Sequence, residues 1–150
     1  MEHSLEFIVA VKYATYLTGH NQQTNNHELD QIGKQLFNTK WNGVYSQDEA
    51  VRQANKLKPY MIFNVDKSDQ NGSHWISMIY DKQLQKYLIF DSFGRPTKKL
   101  LKYLDHNLVG GFLDTEYDKD QNKNQNDCGQ RCLASIIIYD MLGSQAFLNL

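Results

Sequence analysis

Apolar positions recur at helical spacing near the start of the chain. Phe7, Ile8, Val11, Ala14 and Tyr16 or Leu17 fall on one side of a helix over Leu5 to Leu17. Gly19 to Asn26 is a polar break rich in Asn and Gln, and reads as a loop. Leu29, Ile32 and Leu36 predict a second, short helix from His27. Trp41 to Tyr45 follows neither the helical nor the strand period and reads as irregular. Ser46 with Glu49 three residues later forms a capping box, which starts a helix at Gln47 that must end before Pro59.

The period then shortens. Tyr60 to Val65, His74 to Tyr80 and Lys86 to Asp91 are predicted strands, the last two joined by a polar turn over Asp81 to Gln85. Thr97 to Asn107 reads as a helix with Leu100, Leu101 and Leu104 on its core face, and Phe112 to Tyr117 as a further strand. Asp118 to Asn126 is strongly polar and predicts an exposed loop. Asp127 is a suitable N-cap for a helix from Cys128 to Leu142. With Ile136, Ile137 and Ile138 in succession that helix is apolar nearly all round, so it is expected to be central and buried.

Bulk properties narrow the picture. No repeat or linker divides the 150 residues, so a single domain over 1–150 is expected, with the role of the helix and loop in 1–26 left open. A net charge of -1 gives no footprint for nucleic acid, and no apolar run is long enough for a membrane span. Lys98, Lys99 and Lys102 read as a solvated helix face. The start Met1-Glu2-His3-Ser4 lacks the features of a secretory signal. Two cysteines, Cys128 and Cys132, make a disulfide framework improbable and a reducing compartment the expected home. They also fall short of the four ligands of a zinc site, so no metal is expected.

Candidate chemistry lies in the second half. A hairpin turn centred between Lys82 and Gln83 would put His74 opposite Asp91, where a carboxylate fixes the tautomer of an imidazole and supports its charged form. Alone, such a pair is more often a surface contact. The strand-end setting, with Trp75 after the histidine and Ser92-Phe93-Gly94 after the aspartate, favours a functional pair. Cys128 begins a long helix, where free backbone N–H groups and the helix dipole favour a thiolate. Gly129 removes bulk beside it and leaves room for a substrate backbone. Cys132, one turn further in, reads as core. A second oxyanion donor beside the Cys128 amide could come from Gln121 or Gln125, and spacing alone does not choose.

Gly72-Ser73-His74-Trp75, Leu88-Ile89-Phe90-Asp91-Ser92-Phe93-Gly94, and Gln121 with Asn126-Asp127-Cys128-Gly129 occur in that order. Together they resemble the adenain-like and ubiquitin-like-protein protease clan of cysteine proteases, in which the order is His, acid, Gln, Cys. Trp41 to Glu49 and Asn64-Val65-Asp66 are similar to the small maturation proteases of Maverick/Polinton elements, virophages and other large DNA viruses. The resemblance implies that His74 is the general base, Asp91 its orienting acid, Cys128 the nucleophile and Gln121 the oxyanion donor. The step from Gln121 to Cys128 is similar to that in adenain, whereas the step in SUMO proteases would land on Asn122. The acid is Asp, as in SUMO proteases, where adenoviral proteases have Glu.

The expected fold is α+β, papain-like and of the adenain type: a small, mostly antiparallel sheet packed against a buried central helix that carries the nucleophile. The expected function is a cysteine endopeptidase that cuts viral or transposon structural precursors beside small residues such as Gly. Trp75, Gly129, Gly72 and Ser73 are its candidate substrate contacts, with Trp75 either a wall of the approach to Cys128 or a core residue. No cofactor is implied, and the expected partner is a protein substrate, either a capsid precursor or a ubiquitin-like tail, met by a monomer. The expected location is the virion or the host cytoplasm or nucleus. Alternatives are a deubiquitinase or deSUMOylase cutting after diglycine tails, a clan-related acetyltransferase, and an inactive binding module.

Overall fold

The computed structural model describes residues 4–64, 74–93, 111–115 and 126–150. Helix α1 spans Leu5–Thr18 and α2 spans Asn26–Phe37; a short 3-10 turn then leads into strand β1, Trp41–Ser46. Helix α3 is Gln47–Gln53, and strands β2, β3 and β4 are Tyr60–Asn64, Trp75–Asp81 and Lys86–Phe90. Strand β5 is Phe112–Asp114, helix α4 is Cys128–Leu142 and helix α5 is Ser144–Leu148. The expected helix over Thr97 to Asn107, the lysines at 98, 99 and 102, and the loop from Asp118 to Gln125 lie outside the described residues, as do Val65 and the end of the expected last strand.

The strands form one sheet in the order β1-β2-β3-β4-β5. The sequence suggests a mostly antiparallel sheet, but this one is mixed. The inner pairs β2–β3 and β3–β4 are antiparallel, and the outer pairs β1–β2 and β4–β5 are parallel. Parallel neighbours need a crossover, and α3 supplies the one between β1 and β2. The fold is α+β with a central helix, as expected.

Segment 41–45 is a strand rather than an irregular stretch. Its register with β2 slips between Trp41 and Gly43, which hides the alternation in the sequence. Trp41 anchors it: the indole lies against Gly33 of α2, where a Cβ would collide with the ring, and its Nε1 donates to Asp30 at 2.9 Å. The capping box at α3 forms as expected, with the Ser46 amide donating to Glu49 at 3.3 Å.

One face of the sheet packs on α4, which is covered in turn by α1. The main core includes Phe7, Ala14, Leu29, Ile62, Ile79, Leu88, Phe90, Leu133 and Ile136. The buried side of α1 is Phe7, Ala10 and Ala14, with Val11 and Leu17 packed beside them. Ile8 and Tyr16 point to solvent, so only part of the expected apolar stripe faces inward. Phe147 of α5 closes the core against Phe90 and Tyr139.

Polar contacts fix α4 relative to the strands. Ser135 and Ser77 share a fully buried hydroxyl contact of 2.6 Å, and the Ser135 hydroxyl also donates to the Cys132 carbonyl. At the far end, the Tyr139 hydroxyl donates to Asp81 and the Tyr60 hydroxyl to Asp140, each at 2.6 Å. Burial first, and then these carboxylate bonds, push both phenols well above their ordinary range. A helix pinned at its middle and far end presents its first turn, and Cys128, in a fixed position against β3.

Candidate active site

His74 immediately precedes β3 and Asp91 immediately follows β4. The register pairs Ser77 with Phe90 and Asp81 with Lys86. Carried outward, it sets Phe93 across from His74, and the turn centres between Gln83 and Leu84 rather than one residue earlier. The shift has a local cause: the turn occupies Lys82 to Gln85, Gln85 takes a positive φ of 54°, and the Asp81 carboxylate accepts the Leu84 amide at 2.7 Å. His74 and Asp91 are therefore diagonal neighbours rather than opposite ones. The slip is even in side-chain period, so both still share one face.

They meet across that diagonal. His74 Nε2 and Asp91 Oδ1 are 2.6 Å apart, with both side chains buried. The same Oδ1 accepts the Phe93 amide at 2.9 Å, which holds the carboxylate at the strand exit. Phe93 also stacks on the imidazole, ring centroids 4.2 Å apart and planes 17° from parallel. In the sequence Phe93 reads only as part of the exit from β4; its place across from the histidine follows once the register is known.

A carboxylate can only accept, so the proton of the neutral imidazole sits on Nε2 and the lone pair on Nδ1. Nδ1 is buried and makes no hydrogen bond. Burial pulls the His74 pKa down, but the bond to Asp91, the influence of Cys128 and the negative charge of Asp91 outweigh it, so the net shift is upward. Cys128 acts on the His74 pKa while making no hydrogen bond to Nδ1.

Cys128 is the first residue of α4 and is 3% exposed; Cys132, one turn on, is fully buried, and neither is in a disulfide. Asp127 occupies the N-cap position without capping. Its side chain makes no bond to the helix amides and instead accepts Arg131 Nε at 3.0 Å. The dipole end beside Cys128 is therefore not taken up by that carboxylate, which suits an anion there.

The candidate substrate contacts fare differently. Trp75 is buried in the main core, and its indole Nε1 donates to the Thr24 carbonyl at 3.1 Å. At Gly129 the space expected for a substrate backbone is filled by the protein: a Cβ there would run into Thr24 Oγ1 and come within 3.1 Å of Leu29. Gly129 lets the 24–29 segment close onto α4. Gly72, Ser73, Gln121 and Gln125 lie outside the described residues.

The adenovirus endoprotease family model matches residues 43–116. The match contains His74 and Asp91 and stops before Cys128. No curated protein matches the chain. Among the described residues no helix is long and apolar enough to cross a membrane. Over residues 43–116 the chain is similar to the adenovirus endoprotease family, and its mixed sheet and helices are consistent with an adenain-like α+β fold.

Proposed function

We propose that this protein is a cysteine endopeptidase of particle maturation, with Cys128 as nucleophile, His74 as general base and then acid, Asp91 as orienting acid, and Gln121 as oxyanion donor. The observation that carries the reading is the buried His74–Asp91 bond through Nε2, which leaves Nδ1 without a hydrogen bond and able to take a proton. In this reading His74 Nδ1 takes the Cys128 proton, and the thiolate attacks the scissile carbonyl carbon. The Cys128 amide and Gln121 hold the oxyanion. Collapse of the adduct breaks the C–N bond, and Nδ1–H protonates the leaving amine. Water then hydrolyses the thioester, giving a proton back through Nδ1 and restoring the thiol.

The substrate we propose is a structural precursor cut beside Gly or another small residue, in a virion or in a reducing host compartment, by a monomer. The near-complete burial of Cys128 and His74 supports this preference, because a narrow approach admits a residue without a bulky side chain most readily. The test is cleavage of synthetic peptides that differ only at the scissile position. Gly or Ala should be cut and Leu should not, with no cleavage by Cys128→Ala. Release of a diglycine-tailed ubiquitin-like protein in preference to these peptides would transfer the protein to the deconjugating branch of the clan.

A further inference from the structure

Gln130 stands two residues after Cys128, in the first turn of α4, and is fully buried. Its side-chain amide donates to the Thr18 hydroxyl at 3.3 Å and to the carbonyls of His20 and Gln22 at 2.9 and 3.1 Å. All three acceptors lie at the end of α1 or in the loop from Gly19 to Asn25. The Gln130 carbonyl oxygen is buried without a partner. A buried acceptor left unpaired costs stability, and Gln130 bears that cost while its Nε2 donates to these three acceptors. The polar contacts of the Gln130 side chain thus all go to the end of α1 and this loop.

The same loop is tied to the other half of the site. The Thr24 carbonyl accepts the indole of Trp75, which adjoins His74, and Thr24 packs on Gly129, which adjoins Cys128. The loop thus touches the chain neighbour of the nucleophile and the chain neighbour of the base. Between those anchors Asn21, Gln22 and Gln23 are exposed. Their amides both donate and accept, which suits an extended peptide backbone of varied sequence.

We infer that Gln130 is a positioning residue that holds the loop between α1 and α2 against the nucleophile helix as one wall of the peptide-binding groove. This rests on the protease reading above, and it gives the N-terminal segment a role in substrate binding. Gln130 acts on substrate through the loop, and Asn21 and Gln22 supply the contacts.

The test compares Gln130→Met with wild type, using iodoacetamide as a small electrophile and a peptide vinyl sulfone as a substrate-like one. Iodoacetamide should label Cys128 within about two-fold of wild type, while the peptide reagent loses about ten-fold, all of it as weaker binding before reaction. Equal loss with both reagents, or none with the peptide, overturns the inference. Should Gln130→Met fail to fold, Gln22→Lys alters an exposed side chain whose amide donates to Asn21 Oδ1 at 2.9 Å. It should then raise the preference for a Glu-bearing over a Lys-bearing peptide reagent about five-fold, and an unchanged preference is equally fatal. A wild-type Cys128 no more reactive than an ordinary thiol would remove the protease reading itself, whereas fast iodoacetamide labelling with no loop effect removes this inference alone.

Discussion

His74 lies face to face with Phe93, not with Asp91, and reaches the Asp91 carboxylate diagonally across the hairpin. The imidazole is thereby fixed in two ways. The stacked ring sets its plane, and the carboxylate sets its tautomer. Phe93 further binds the carboxylate through its own amide, so a single residue aligns both members of the pair.

Removing the ring should therefore cost turnover more than affinity. Phe93→Ala is expected to lower kcat about ten-fold with little change in KM, and Phe93→Tyr to stay near wild type. Steady-state peptide cleavage by the two variants checks this.

Asp91→Asn keeps the shape and removes the charge that favours imidazolium. Labelling of Cys128 near neutral pH should fall by about 10²-fold or more, with its pH profile moved to higher pH. Asp91→Ala also leaves the buried Nε2–H unpaired, and should lose a further ~1–3 kcal/mol of stability in denaturant unfolding.

The pH dependence of stability has a defined sign. The His74 pKa in the folded protein lies above its ordinary 6.5. Its contribution is therefore fully present below that ordinary value and is lost as pH rises through the raised one. Wild type should exceed His74→Gln in Tm by most at about pH 5, and the gap should shrink towards about pH 9. A gap that widens with pH would contradict the upward shift.

Gly129→Ala forces a methyl group against Thr24 and Leu29. A loss of about 1–3 kcal/mol is expected. Thr24→Ala should restore part of it, because it removes the hydroxyl that the methyl meets. Thermal unfolding of the two single variants and the double variant closes the cycle.

Much of this arrangement is legible in the sequence, and the exceptions have physical causes. Helix α4 is readable because Ile136, Ile137 and Ile138 follow one another in an apolar stretch and a small polar residue precedes Cys128. The strands either side of the hairpin are readable from their β-branched and aromatic content. Their register is not, because it depends on the positive φ of Gln85 and on the Asp81 side chain taking the Leu84 amide, which composition does not reveal. The error is even in period, so the His74–Asp91 partnership survives it. Strand β1 is concealed by Asn42 and Gly43 at a register slip. Asp127 has the chemistry of an N-cap, but Arg131 one turn away competes for its carboxylate and wins. Trp75 and Gly129 carry residue types common to cores and to sites. Only the packing of Thr24, distant in sequence from both, shows them holding the loop.

The most direct test of the central claim is labelling of Cys128 at neutral pH by a thiol-directed peptide electrophile, in wild type, His74→Ala and Cys128→Ala. Cys128 should be modified rapidly in wild type, at least about 10²-fold more slowly in His74→Ala, and not at all in Cys128→Ala, where only the buried Cys132 remains. If Cys128 in the folded wild-type protein reacts no faster than an ordinary buried thiol, and His74→Ala makes no difference, then Cys128 and His74 do not form a nucleophile–base pair and the protease reading fails.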